Sequence, residues 1–290
     1  MGMRRQHVAA MRLTSTLFIV LLVLGIALTA GCSSARNATA SPRIRVMTWN
    51  IHHGEGLDHK VDVERIARII GQEKPDVVAL QEVDRGVGRS GNIDIITKLA
   101  DLTEMTYAFG KTIDFQGGEY GNAFLTRFPI LEERNVLYPM IQPGEQRGIL
   151  MLNLQVGTEE VVVANTHLEN RTDDTARVAS ATELVKRIQS LAPRPVIVCG
   201  DFNDVPGSRL IAGLSAKLND SWKVSSQGTG CTFPSDTPRK RIDYIWTSNN
   251  TRSDTASAGT VLHPILARVI QTAASDHLPY TVDFELRTER

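Results

Sequence analysis

Three observations predict a layered α/β domain. Two short apolar runs, residues 77–80 and 196–199, are continuous and bounded by Pro, Asp or Gly, as buried strands are. An amphipathic stretch over 63–73 lies between the strand that ends at Asn50 and the one that starts at Val77, the position of a helix crossing a sheet. A carboxylate stands one intervening residue beyond each apolar run: Glu82 after the first and Asp201 after the second.

In chain order, a strand begins at Ile44 and runs to Asn50, followed by Ile51-His52-His53-Gly54. Asn50 can offer an amide oxygen to a metal or a bound water, or form a turn; His52 and His53 read as loop histidines. Asp62 caps a helix over 63–73, with Val63, Ile66, Ile69 and Ile70 on one face. Pro75-Asp76 ends it, and the next strand leaves through Gln81-Glu82-Val83-Asp84. Ile95, Ile96, Leu99 and Leu102 have helical spacing. Gly117-Gly118-Glu119-Tyr120-Gly121-Asn122 reads as a turn into a short strand, 123–126. Residues 146–156 and 160–164 flank Gly157-Thr158 as a hairpin whose second strand runs out at Asn165-Thr166-His167. The strongest helix, 174–191, aligns Val178, Ala181, Val185, Ile188 and Leu191. Gly200, after the strand 196–199, lets the backbone turn or come close to a ligand on the way to Asp201, Asn203 and Asp204. There follow a short helix over 208–216, a turn-rich loop over 228–241, a strand over 241–246, and a last alternating strand, 280–286, after Ser275-Asp276-His277.

The N-terminus has a different character. Arg4, Arg5 and Arg12 precede an apolar run, 17–30, and then Gly31-Cys32, which makes residues 1–31 a secretory signal. Leu28-Thr29-Ala30-Gly31-Cys32 resembles the lipobox of bacterial lipoproteins, with Thr29 in place of the usual Leu. Lipidation of Cys32 would anchor the protein to a bacterial membrane, on the periplasmic side or the cell surface; a secreted protein cut near the same place is the rival. Residues 32–43 form a flexible Ser-, Ala-, Thr- and Asn-rich tether. Residues 44–288 suffice for one large domain.

Without the three leader arginines the chain holds 29 basic against 32 acidic residues, so no stable nucleic-acid partner held by general electrostatics is expected. Cys199 lies in an apolar strand and is expected as a buried free thiol rather than paired to Cys231, and no zinc spacing occurs. Arg239-Lys240-Arg241, just before Asp243, could present positive charge near the cleft, and a solvated loop run is the commoner reading.

The strand-end polar residues are Asn50, Glu82, His167, Asp201, Asn203, Asp243, Asp276 and His277: four carboxylates, two amides and two imidazoles. Oxygen-rich ligation suits Mg²⁺, or Mn²⁺, rather than zinc. Such ions bind substrate phosphates, which makes phosphate-ester cleavage the natural chemistry. Without a cation, buried carboxylates in one place would repel each other.

Thr-Trp-Asn (48–50), Leu-Gln-Glu-Val (80–83), Thr-His-Leu (166–168), Gly-Asp-Phe-Asn-Asp (200–204), Arg-Ile-Asp-Tyr-Ile (241–245) and Ser-Asp-His-Leu-Pro (275–279) stand in the order found in the endonuclease/exonuclease/phosphatase superfamily, which this chain resembles from Ile44 to Leu286. That family includes pancreatic-type deoxyribonuclease, neutral sphingomyelinases and inositol-polyphosphate phosphatases. The resemblance implies a four-layer αββα sandwich of two mixed β-sheets flanked by helices. It also implies that Glu82 is the principal metal ligand, with Asn50 beside it and Asp276 on the same or a second ion. Asp201 and Asn203 would hold the attacking water. His277, buttressed by Asp243, would face the scissile phosphate as general base or as electrostatic stabiliser. His167 would donate to a phosphate oxygen. Where the family often has Arg-x-x-Gln after Thr-His-Leu, Arg177 is followed by Ser180, which gives Arg177 a supporting or structural role. Asn122 is placed either on the floor of the site or in a turn.

Export argues against chromosomal repair and leaves nucleic acid, nucleotides or lipid headgroups as substrates. A catalytically silent surface-binding protein on the same scaffold is the alternative.

Overall fold

A computed structural model describes residues 42–226, 228–248 and 259–289. The signal, Cys32 and nearly all of the tether lie outside them. None of the described helices is long and apolar enough to cross a membrane.

The first sheet holds β1 (Arg43–Asn50), β2 (Val77–Arg85), β3 (Thr106–Phe115), β4 (Gly118–Thr126), β11 (Gly259–Val269) and β12 (Tyr280–Glu289), in the order β11-β12-β1-β2-β4-β3. The second holds β5 (Ile130–Leu137), β6 (Gly148–Val156), β7 (Glu159–His167), β8 (Val196–Asp201), β9 (Leu218–Asp220) and β10 (Asp243–Ser248), in the order β5-β6-β7-β8-β10-β9. Across each sheet the pairings run antiparallel, antiparallel, parallel, antiparallel, antiparallel. The parallel pairs are β1 with β2 and β7 with β8, and each needs a crossover helix. These are α1 (Val63–Glu73) and α3 (Thr175–Gln189).

Three apolar interfaces separate four layers. Val46, Val77, Ala79 and Phe124 of the first sheet meet Leu152, Val163, Ile197, Cys199 and Ile245 of the second. Met47, Val78 and Leu80 face outward onto Ile66 and Ile70 of α1 and onto Ile96 and Leu99 of α2 (Ile95–Thr103). Val162, Val196, Val198 and Trp246 face Leu184 and Ile188 of α3 and Ile211 and Leu214 of α4 (Arg209–Ser215). The expected four-layer sandwich of two mixed sheets is the fold.

Helix starts follow local chemistry. Asp62 accepts from the Arg65 amide at 2.8 Å, Asp94 from Thr97 at 3.1 Å, and Ser208 from Ile211 at 3.2 Å. Asp174, preceding α3, makes no side-chain cap; it holds Arg209 at 2.6 Å instead.

Three local expectations change. Glu119 to Asn122 are strand rather than turn, paired with β3, which the sequence did not announce. The reversal comes earlier, at Gly117 (φ 85°), while Gly121 permits close approach: a Cβ on it would lie 2.1 Å from the Gly110 carbonyl oxygen. Asn122 accordingly sits buried inside β4, its amide 3.4 Å from the Gly148 carbonyl. Arg241 does not belong to a solvated run. It is buried in a bidentate pair with Asp220 at 2.9 and 2.6 Å, because Asp220, at the end of β9, faces it beside β10. Arg239 and Lys240 are exposed. Cys199 is buried and free, as expected, and Cys231 is also free.

Candidate active site

Side chains alternate along a strand, so inward-facing positions share one parity. Val46 puts Asn50 on the inner parity of β1, Val163 puts His167 there on β7, Ile197 puts Asp201 there on β8, and Ile245 puts Asp243 there on β10. The inter-sheet core is apolar along most of its length and polar at one end, where these residues meet.

Below them a layer of amides closes the core. The Gln81 amide donates to Asn165 Oδ1 at 2.7 Å and to Thr48 Oγ1 at 3.1 Å. Asn165 in turn donates across the sheets to the carbonyls of Leu80 (2.8 Å) and Ala123 (2.9 Å). The β2–β4 register shifts between Leu80 and Val83, and Glu82 adopts a left-handed φ of 58° within that bulge. A bulge redirects one side chain out of the alternation. Asn203 (φ 51°), His52 (φ 45°) and His53 (φ 44°) share this costly conformation around the same cleft.

The contacts form one continuous chain. Asn50 Nδ2 donates to Glu82 Oε1 at 3.0 Å and to Asp201 Oδ2 at 3.2 Å, while Asn50 Oδ1 accepts from the His52 amide at 3.0 Å. Asp201 Oδ1 accepts from the Asn203 amide at 2.9 Å. Asp201 Oδ2 stands 3.7 Å from His277 Nε2 and 3.6 Å from His167 Nε2. His277 Nδ1 lies 3.0 Å from Asp243 Oδ2, and the imidazole leans on the Phe233 ring, 4.8 Å between centroids.

Burial and neighbouring charge divide the ionisable groups. Burial opposes a charge on His277, but Asp243 and Asp201 outweigh it and push the pKa up to about 10. Burial, and then the Asp243 charge, push Asp201 up to about 7. His167 goes the other way: burial, with Arg147 and His277 nearby, drives it well below the usual imidazole range, so it is neutral. Asn203 Nδ2 donates to the Leu168 carbonyl at 3.0 Å and meets His167 Nε2 at 3.0 Å. Nε2 is therefore the acceptor, and the ring proton sits on Nδ1, which is buried without a partner among the described residues.

The structure thus brings Asn50, Glu82, His167, Asp201, Asn203, Asp243 and His277 into one cluster. Asp276 stands at its rim, with a 36% exposed side chain and Oδ1 4.0 Å from His52 Nδ1. Arg177 holds loops rather than the site itself. It is buried, donates to the Glu169 and Arg171 carbonyls, and lies 3.5 Å from Asp204, one residue from Asn203.

Four residues near the site were left out of it by the sequence reading. Ser275 Oγ donates to the Asn50 carbonyl at 2.7 Å and accepts from the His277 amide at 3.1 Å, tying β1 to the His277 loop; its place in Ser-Asp-His was the available signal. The Thr232 hydroxyl donates to Asp243, and no local pattern marks it. His52 and His53, read as loop residues, stand beside Glu82.

Residues 47–277 match the family described as Endonuclease/Exonuclease/phosphatase family. Nocturnin of Rattus norvegicus is 28% identical over 304 residues, covering 89% of this chain and 68% of its own. The uncharacterized protein YbhP of Escherichia coli is 27% identical over 256 residues, 83% of this chain and 96% of its own. The crystal structure of an endonuclease/exonuclease/phosphatase from Beutenbergia cavernae superposes with a TM-score of 0.66 at 25% identity, covering 84% of this chain and 72% of that one. With six ordered motifs, a matching fold and a converging cluster, the chain belongs to the endonuclease/exonuclease/phosphatase family, a hydrolase fold that acts on phosphate esters.

Proposed function

We propose that the domain is a Mg²⁺-dependent phosphoesterase, exported and held at a membrane through lipidated Cys32, that cleaves a phosphodiester or phosphomonoester by attack of water. The contact chain Glu82–Asn50–Asp201–His277–Asp243 carries this reading.

Glu82 would hold Mg²⁺, or Mn²⁺ in its place, joined by Asp276 from the rim and by Asn50 once its amide, whose Nδ2 faces Glu82 and whose Oδ1 accepts from the His52 N–H, has turned. The donor set fits a cation. Among the described residues the half-buried Glu82 carboxylate accepts one hydrogen bond, from Asn50, and makes no ion pair. When bound, such an ion supplies charge neutralisation at a phosphoryl oxygen.

The protein's own groups divide the remaining work. Asp201, raised toward neutrality, is suited to accept a proton from water positioned between it and Asn203. His277 keeps its proton near pH 7 and favours the negative charge that develops on the phosphoryl oxygens, which makes it a stabiliser rather than a base. Asp243 fixes the ring by occupying Nδ1. Neutral His167 orients the Asn203 amide through Nε2; with its proton on the buried Nδ1, donation to a phosphate oxygen would require the other tautomer.

The test is a panel of single- and double-stranded DNA, RNA, sphingomyelin, a phosphoinositide and bis-p-nitrophenyl phosphate, each with Mg²⁺ and with chelator. Chelator-sensitive cleavage of one class supports the reading and names the substrate. Binding without cleavage of any ester favours a silent surface-binding protein on the same scaffold.

A further inference from the structure

We propose that His52 and His53 join Glu82 in a nitrogen-bearing divalent-cation site, which makes Mn²⁺ or Co²⁺, rather than Mg²⁺, the tighter-bound ion. The inference rests on the phosphoesterase reading and extends its Glu82 site. One ligand nitrogen of His52, one of His53 and a carboxylate oxygen of Glu82 all lie within 4.8 Å of one another. Ligands bonded at about 2.0–2.2 Å to one ion stand roughly 3–4 Å apart, so modest side-chain rotation closes the site.

His53 carries the argument. The residue is 7% exposed, and its Nδ1 is buried with no hydrogen-bond partner among the described residues. Glu55 Oε2 stands 3.5 Å from Nε2, and Glu55 Oε1 is in turn 3.2 Å from His59 Nδ1. A carboxylate on one ring nitrogen holds the proton there and leaves the other as a lone pair, the arrangement that orients metal-ligating histidines. A lone pair buried without a donor is costly, and a cation removes that cost.

His52 adds a second nitrogen and a link to the rim. Its Nδ1 lies 4.0 Å from Asp276 Oδ1, and its ring meets that of His53 edge-on at 4.5 Å. Its backbone amide already occupies Asn50 Oδ1, the oxygen expected to serve as a ligand. Imidazole nitrogens thus stand near Glu82 while the Asn50 oxygen is engaged by a backbone amide. Mg²⁺ prefers oxygen and water, whereas first-row transition ions accept imidazole readily.

The experiment is calorimetric titration of the metal-stripped full chain with Mn²⁺, Co²⁺ and Mg²⁺ separately, for wild type, His52→Ala, His53→Phe and Glu82→Gln. Proton NMR of the Co²⁺ form adds a direct count of coordinated imidazoles. Wild type should bind Mn²⁺ at least about tenfold tighter than Mg²⁺ and show two paramagnetically shifted, exchangeable imidazole N–H signals. Each histidine variant should lose one signal and weaken Mn²⁺ and Co²⁺ about ten- to a hundredfold, with Mg²⁺ affected much less. Half-buried His52 serves as the test if His53→Phe fails to fold. Unchanged Mn²⁺ affinity in His52→Ala, with no shifted imidazole signal in wild type, overturns the inference. Glu82→Gln keeps the two readings apart. Loss of all cation binding and ester cleavage there upholds the phosphoesterase site whatever the histidines do. If Glu82→Gln still binds cations and still cleaves, both readings fall.

Discussion

His277 and Asp243 come from different parts of the chain and meet at 3.0 Å, Nδ1 to Oδ2, each held from behind by a third group. The Thr232 hydroxyl donates to the same Asp243 oxygen, and the Trp49 indole donates to the His277 carbonyl at 3.0 Å. Trp49 lies in the first sheet and Asp243 begins a strand of the second, so both sheets fix the imidazole.

Replacing His277 with Gln keeps much of the ring's volume and removes its charge. In the phosphoesterase assay kcat should fall about 10²- to 10⁴-fold, with an unchanged circular dichroism spectrum. Near-normal turnover would place the chemistry elsewhere.

The same residue predicts a pH dependence of stability. Its pKa is about 10 in the folded protein, against roughly 6.5 for a free imidazole. The folded state therefore binds the proton more tightly, and the stabilisation is complete below about pH 6.5 and lost as pH rises through about 10. In chelator, urea unfolding should show wild type more stable than His277→Gln at pH 6, with the gap closing by pH 10. A gap that widens with pH would contradict the assignment.

Gly200 is required where β8 meets β7. Its φ is +149°, and a Cβ there would lie 2.0 Å from the Thr166 carbonyl oxygen. Gly200→Ala should cost about 3 kcal/mol or more, since backbone has to move to admit the methyl group. Denaturant unfolding measures this, and a loss below 1 kcal/mol, on the order of an ordinary surface change, would show that the strands can part freely.

Asn165 joins the sheets beneath the site. Asn165→Leu removes the donors to the Leu80 and Ala123 carbonyls and the acceptor for Gln81. Leaving such groups buried and unpaired should cost about 2–4 kcal/mol. Because Leu80 adjoins the bulge that aims Glu82, cation affinity should weaken as well, and titration calorimetry checks it. Unaltered stability would mean that water replaces the amide.

Much of this was legible locally. The cap at Asp62, the apolar face of α1 and the hairpin at Gly157 follow from short-range propensity, and the structure repeats them with small shifts. The positions of Asn50, His167, Asp201 and Asp243 at the edges of apolar runs were legible as well. β3 and the strand character of Glu119 to Asn122 were not legible, because glycines that permit close approach between strands look like turn glycines in one dimension. Arg241 misled for a similar reason: its partner Asp220 is 21 positions away, and only β9 beside β10 shows that the charge is buried.

The sequence by itself determined which residue types sit at strand ends, and hence the phosphate-ester chemistry they suit. Tertiary structure alone decided that Glu82 leaves the alternation through a bulge and that Asn50 spans two carboxylates. It also decided that His277 is held cationic between Asp243 and Asp201 while His167 stays neutral, and that His52 and His53 turn toward Glu82. The division has a physical cause. Alternation and capping are set by neighbours along the chain, whereas a pKa or a ligand set depends on what other strands bring within a few ångströms.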